Sequence, residues 1–75
     1  MTAGVVATLD RAVPGFNQSI KAIESRPDVE LGQAICSRLP MTIEAIDAQG
    51  LESVTNWLLN LNGIVLIDVV FVHYE

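Results

Sequence analysis

The run Ile64-Val65-Leu66-Ile67-Asp68-Val69-Val70-Phe71-Val72-His73 is the most demanding stretch of the chain. β-branched and aromatic residues crowd it, and Asn62-Gly63 precedes it as a helix stop or turn. Such composition predicts a strand. The run is too short, and too interrupted by Asp68 and His73, to span a bilayer, which takes about 20 apolar residues. Strand side chains alternate between two faces. Simple alternation sets Val65, Ile67, Val69 and Phe71 on one face, and Ile64, Leu66, Asp68, Val70 and Val72 on the other. Both sets are apolar. A chain of 75 residues can cover one sheet face with its own helices, so the second apolar face needs its own explanation.

That length fits a single domain, residues 1–75, and 51% hydrophobic residues make packing the expected source of its stability. The lone Cys36 has no internal disulfide partner, which suggests a reducing compartment. No basic, apolar and small-residue succession opens the sequence, so no secretory signal is expected and the location is read as cytoplasmic. A net charge of −5 argues against phosphate backbones, and no nucleic-acid partner is expected. It suits a basic partner, although acidic surfaces also simply keep small proteins soluble.

Val5-Val6-Ala7-Thr8-Leu9 is the first predicted strand. Pro14 suits the first turn of a helix whose stripe is Val13, Phe16, Ile20 and Ile23, and Pro27 ends that helix at Arg26. Val29 to Ile35 is a poor second strand, interrupted by Gly32 and Gln33 and so suited to a sheet edge. Cys36-Ser37-Arg38-Leu39 is the expected turn. Met41 to Asp47 alternates as a third strand, with Pro40 at its very start because proline cannot donate to a ladder. Ala48-Gln49-Gly50 is read as a break, followed by a helix from Leu51 to Leu61 with the stripe Leu51, Val54, Leu58 and Leu61, widened by Trp57.

Both stripes step by three, four and three, and each helix lies between two strands. Two β-α-β halves with right-handed crossovers interleave into an α+β split β-α-β sandwich, the ferredoxin-like fold (βαββαβ). Its four-stranded antiparallel sheet has the order 4-1-3-2, with both helices on one face. The final strand then lies at an edge. The face left open is expected to bear Val6, Thr8, Thr42, Glu44, Ile46, Leu66, Asp68, Val70 and Val72.

Several chemistries of this topology lack their residues here. RNA recognition needs stacking aromatics on the central strands, which carry Val, Ala, Thr, Ile and Glu instead. Soft-metal transfer needs paired cysteines after the first strand, and Asp10-Arg11-Ala12-Val13 has none. Acylphosphatase-type hydrolysis needs a glycine-rich cradle around a positioned arginine; Arg11 stands alone. His73 and Cys36 have no neighbours that would make them ligands or nucleophiles. No enzyme activity, metal or cofactor is expected. Glu44 and Asp68, carboxylates among Val, Ile and Leu, read either as solvated strand residues or as anchors for a cationic, partly apolar segment.

Several stretches resemble the NapD family of small cytoplasmic chaperones. They are the Val5-Val6 strand, the Pro14-initiated helix, the passage Arg26-Pro27-Asp28-Val29-Glu30-Leu31, the helix ending Leu61-Asn62-Gly63-Ile64, and the tail Phe71-Val72-His73-Tyr74-Glu75. The chain differs in having Val72 before the histidine, where that family often has tyrosine, and in an uncharged Val13-Pro14-Gly15-Phe16 entry. The resemblance implies a chaperone that binds the twin-arginine signal peptide of the periplasmic nitrate reductase catalytic subunit. Such a chaperone holds back export until the molybdenum cofactor is in place. An amphipathic signal could lie on the apolar open face, with its arginines at Glu44, Asp68 or Glu30. Two other readings stay open: an amino-acid-binding type of regulatory domain, hinted at by Gly15, and a weak homodimer that buries two open faces together.

Overall fold

The computed structural model describes residues 1–74, so Glu75 lies outside the described residues. The elements run β1 (Thr2–Leu9), α1 (Phe16–Glu24), β2 (Val29–Leu31), β3 (Arg38–Glu44), α2 (Ala48–Leu59) and β4 (Ile64–His73). All strand pairs are antiparallel, and the sheet order is β2-β3-β1-β4, the expected order read from the other edge. One sheet face supplies Ala3, Val5, Ala7 and Leu9 from β1 and Leu39, Met41 and Ile43 from β3 to the core. Ile23 of α1 and Val54 and Leu58 of α2 meet them there. Phe16, Ile20 and Ile23 of the first stripe and Leu51, Val54, Leu58 and Leu61 of the second seat as their spacing predicts, whereas Val13 and Pro14 lie in the turns before α1, which starts only at Phe16.

Strand boundaries differ from the local pattern for identifiable reasons. β1 starts three residues before Val5, because Thr2, Ala3 and Gly4 pair with Glu44, Ile43 and Thr42 on β3. Alanine and glycine carry little intrinsic strand preference, and here partners on both sides supply the order. β2 is only Val29–Leu31, shorter than the predicted Val29 to Ile35. Asp28 accepts from the Glu44 N–H, and Gly32 donates to the Pro40 carbonyl at 2.8 Å. Pro40 has no N–H to return that bond, so the ladder ends there. Pro40 is therefore the third residue of β3 rather than its start. Ile35 and Arg38 exchange bonds of 2.9 and 3.0 Å around a two-residue turn, so Arg38 and Leu39 belong to the strand. Cys36 opens the turn at φ 56°, a conformation usually left to glycine or asparagine.

Ala48-Gln49-Gly50 is no break but the first turn of α2, capped by Asp47, whose Oδ1 accepts from the Gly50 N–H at 2.8 Å. Since β3 stops at Glu44, Ile46 falls in the connection and is 97% exposed. It is not part of the sheet face.

β4 carries two register shifts against β1. Val5 pairs with Val69 but Gly4 with Phe71, and Thr8 pairs with Leu66 but Leu9 with Ile64. Each shift inserts one residue and reverses the alternation beyond it. Val72 thus pairs with buried Ala3 and faces the helices, while Phe71 pairs with Gly4 and faces away, the reverse of the simple reading. Ile64, expected on the open face, is buried with Leu9.

The end of the molecule beside Gly63 is tied from three directions. Asp10 donates to the Gly63 carbonyl at 2.8 Å, and Ser19 Oγ donates to the Asn62 carbonyl at 2.8 Å. The Phe16 ring packs against Gly63, which adopts φ 88°. Ser19 is the buried polar residue of α1, and its place inside an otherwise wet stretch of sequence explains why the apolar periodicity did not reveal it.

Candidate functional site: the uncovered sheet face

Residues directly opposite on neighbouring strands share a face, so the pairing registers lay out the helix-free side in four rows. Glu44, Thr2 and His73 form the first, and Glu30, Thr42, Gly4 and Phe71 the second. Pro40, Val6 and Asp68 form the third, and Arg38, Thr8 and Leu66 the fourth. Leu66, Val70 and Phe71 are 51%, 65% and 50% exposed, large values for apolar residues. A shallow depression of about 240 Å³ lies between them and β3, lined by Gly4, Val6, Gly32, Pro40, Thr42, Val70 and Phe71. The Phe71 ring rests directly over Gly4, where any Cβ would collide with it.

The charges are not evenly spread. Glu30 and Glu44 lie toward the β2 side, and no cation stands within 4 Å of either among the described residues. Glu44 Oε1 accepts from Thr2 Oγ1 at 2.8 Å. At the other end, Arg38 Nη2 stands 3.7 Å from Asp68 Oδ2, with both side chains more than half exposed. Such a pair is weak and exchangeable. The face therefore has an acidic corner at Glu30 and Glu44, an apolar strip along β4, and a cation at Arg38.

Eight of the ten residues singled out from the sequence share this face: Val6, Thr8, Glu30, Thr42, Glu44, Leu66, Asp68 and Val70. Val72 and Ile46 do not. Thr2, Gly4, Arg38, Pro40, Phe71 and His73 are the additions. A period of two cannot reveal Phe71, because the inserted residue that turns it outward arises in pairing with β1.

A second, open groove of about 640 Å³ runs beside the start of α2, lined among others by Arg26, Asp28, Ile46, Asp47 and Ser53. Arg26 Nε and Nη2 donate to the two carboxylate oxygens of Asp28 at 2.9 and 2.7 Å, and the guanidinium stacks 4.5 Å from the Trp57 ring centroid. The Arg26 hydrogen bonds hold the Asp28 carboxyl below its ordinary range, against a smaller opposing effect of burial and with the help of the arginine's charge. The same bonds raise Arg26. A depressed carboxylate stabilises the fold above its unfolded pKa of about 3.9, and that contribution is lost as pH falls through the lower folded value. Each side chain is 32% exposed, so solvent discounts the pair. Asp28→Asn is expected to cost about 1 kcal/mol or less at neutral pH. Urea unfolding of both proteins should show that difference shrinking between about pH 5 and pH 2. A difference that grows in acid would contradict the assignment.

The space beside Gly15 is taken: Asn62 Nδ2 stands 2.8 Å from where a Cβ would project. Among the described residues, no group of three His, Cys, Asp or Glu side chains is arranged to hold a metal ion, and no helix is long and apolar enough to cross a membrane.

No family model matches the sequence, and no curated protein matches it. The fold is similar to the solution structure of the E. coli Tat proofreading chaperone protein NapD, with a TM-score of 0.77 and 16% identity. The match covers 100% of this chain and 79% of that one. At this identity the likeness is one of fold, and it extends over every element described above.

Proposed function

We propose that this chain is a non-enzymatic export chaperone of the cytoplasm. In this reading it binds the twin-arginine signal peptide of a periplasmic molybdoenzyme, the nitrate reductase catalytic subunit, on its uncovered sheet face. Export then waits until the cofactor is inserted and the client has folded, because a bound signal is out of reach of the export machinery. The observation that carries this is one helix-free face that joins the apolar strip of Leu66, Val70 and Phe71 on β4 to Glu30 and Glu44 across the sheet, carboxylates with no cation within 4 Å among the described residues. The fold shared with a Tat proofreading chaperone supports it.

A twin-arginine signal is a basic segment followed by an apolar stretch able to become helical, and such a helix lies in a groove on its apolar face. The charge layout suggests a direction: client arginines at the Glu30 and Glu44 corner, and the apolar stretch running toward Leu66. Arg38 disfavours the reverse orientation. A client arginine reaching Asp68 would have to displace Arg38, so Glu30 and Glu44 carry more of the charge recognition than Asp68.

A labelled client signal peptide tests this by fluorescence anisotropy. Leu66→Ser with Val70→Ser removes apolar surface worth about 1.5–3 kcal/mol per buried side chain. Binding should weaken about tenfold or more while far-ultraviolet circular dichroism stays the same. Unchanged affinity in the double variant would remove the face from consideration. Glu30→Lys with Glu44→Lys should weaken binding most at low salt, because screening already acts over about 8 Å at physiological ionic strength. A loss that does not depend on salt would argue against an arginine contact.

A further inference from the structure

β4 is a ten-residue outer strand that, among the described residues, pairs on one side only, with β1. Its exposed apolar side chains are not confined to the helix-free face. Val69 lies on the helix side opposite Val5 and is 52% exposed. A peptide on the helix-free face leaves Val69 and the outer backbone groups of β4 uncovered. The opposite edge, β2, has only three residues and carries Glu30, whereas β4 is long, apolar and charged at Asp68 alone apart from His73. A long apolar edge invites another strand.

We propose that β4 pairs antiparallel with β4 of a second copy of this chain, in the register that sets Val69 opposite Val72 and Asp68 opposite His73. The bonding pattern selects this register. Leu9 donates to the Ser37 carbonyl beside β3 and Asp10 to the Gly63 carbonyl, so β1 residues turn their backbone groups to β3 and β4 alternately. Leu66, Asp68, Phe71 and His73, opposite Thr8, Val6, Gly4 and Thr2, therefore bond inward to β1. Ile67, Val69 and Val72 turn outward. With Val69 opposite Val72, outward groups meet outward groups, and the same holds for Ile67 with the residue after His73. Asp68 and His73 then face each other on the helix-free side, carboxylate against ring N–H. Centring the pair on Asp68 would oppose two carboxylates, which is unfavourable. Centring it on Val69 would set Ile67 against Phe71, whose backbone groups β1 already holds. The extra residue at Val70 is what brings Asp68 and His73 onto one face, so the register depends on it. The pairing joins two helix-free faces into one continuous surface and needs no client.

Sedimentation velocity of the purified chain up to about 1 mM should show a concentration-dependent dimer. Val69→Lys, at an exposed position, should weaken it about tenfold or more with unchanged circular dichroism, while Leu66→Ser, toward the end of the seam, should leave it largely intact. In a Cys36→Ser background, a mixture of Val69→Cys and Val72→Cys proteins should form a disulfide-linked dimer on mild oxidation, and Val69→Cys alone should not. A monomer throughout the range, a dimer unaffected by Val69→Lys but lost in Leu66→Ser, or self-linking of Val69→Cys would each overturn the proposal.

Discussion

Leu58→Ala is expected to remove about 2–5 kcal/mol of unfolding free energy, a large share of what a chain of this size has. Domains hold roughly 0.05–0.15 kcal/mol per residue. Leu58 is fully buried on α2, packed in one cluster with Val5, Ile23, Ile43 and Val54. Truncation leaves a void that rigid strands on one side and a helix on the other cannot close. Urea denaturation followed at 222 nm should show the midpoint falling with little change in slope. A loss below about 1 kcal/mol would mean that α2 is not seated on the sheet at that point. Leu59, the next residue, is 46% exposed, and alanine there should cost far less.

Gly63→Ala should be of similar size by a different route. Gly63 holds φ 88°, where an L side chain is strained by about 1–2 kcal/mol. Its new Cβ would stand 2.5 Å from Phe16 Cδ1 and 2.9 Å from the Asp10 carbonyl oxygen. The ring can turn, but the carbonyl belongs to a backbone whose own N–H bonds back to Gly63. Overpacking of this kind costs about 1–3 kcal/mol, so the total is expected at about 2–5 kcal/mol. Gly50→Ala supplies the contrast. Gly50 is helical, its Cβ would meet nothing closer than 3.4 Å, and alanine there should stabilise by about 0.5–1 kcal/mol. Thermal unfolding of both variants checks the pair, and equal shifts of the same sign would contradict the structural reading.

The two predictions rest on features of unequal visibility in the sequence. The α2 stripe that contains Leu58 is legible as a spacing of three, four and three, because helical periodicity is a local property of the chain. Gly63 is legible as a stop signal after that stripe. Its contact with Phe16 and Asp10 is not, since those residues are far away in sequence and arrive only when the first crossover closes. The same division runs through the uncovered face. Val6, Thr8, Thr42, Leu66 and Asp68 follow from alternation within regular pairing, and they lie where alternation puts them. Val72 and Phe71 exchange faces because a residue is inserted opposite Val5, and an insertion exists only in relation to a partner strand.

Hydrophobic periodicity, breaker positions and the repeated strand-helix-strand unit were thus enough to specify element order, helix faces and an edge position for Ile64–His73. These are determined locally, by which residues can bury together along a single helix or strand. Tertiary structure decided where strands stop and which way their last residues point. Pro40 ends the β2 ladder by lacking one N–H, and of the two residues inserted in β4 one turns Phe71 toward solvent and Val72 toward the helices, while the other turns Ile64 into the core. Each of those outcomes depends on pairing with another strand, and no residue carries that information alone.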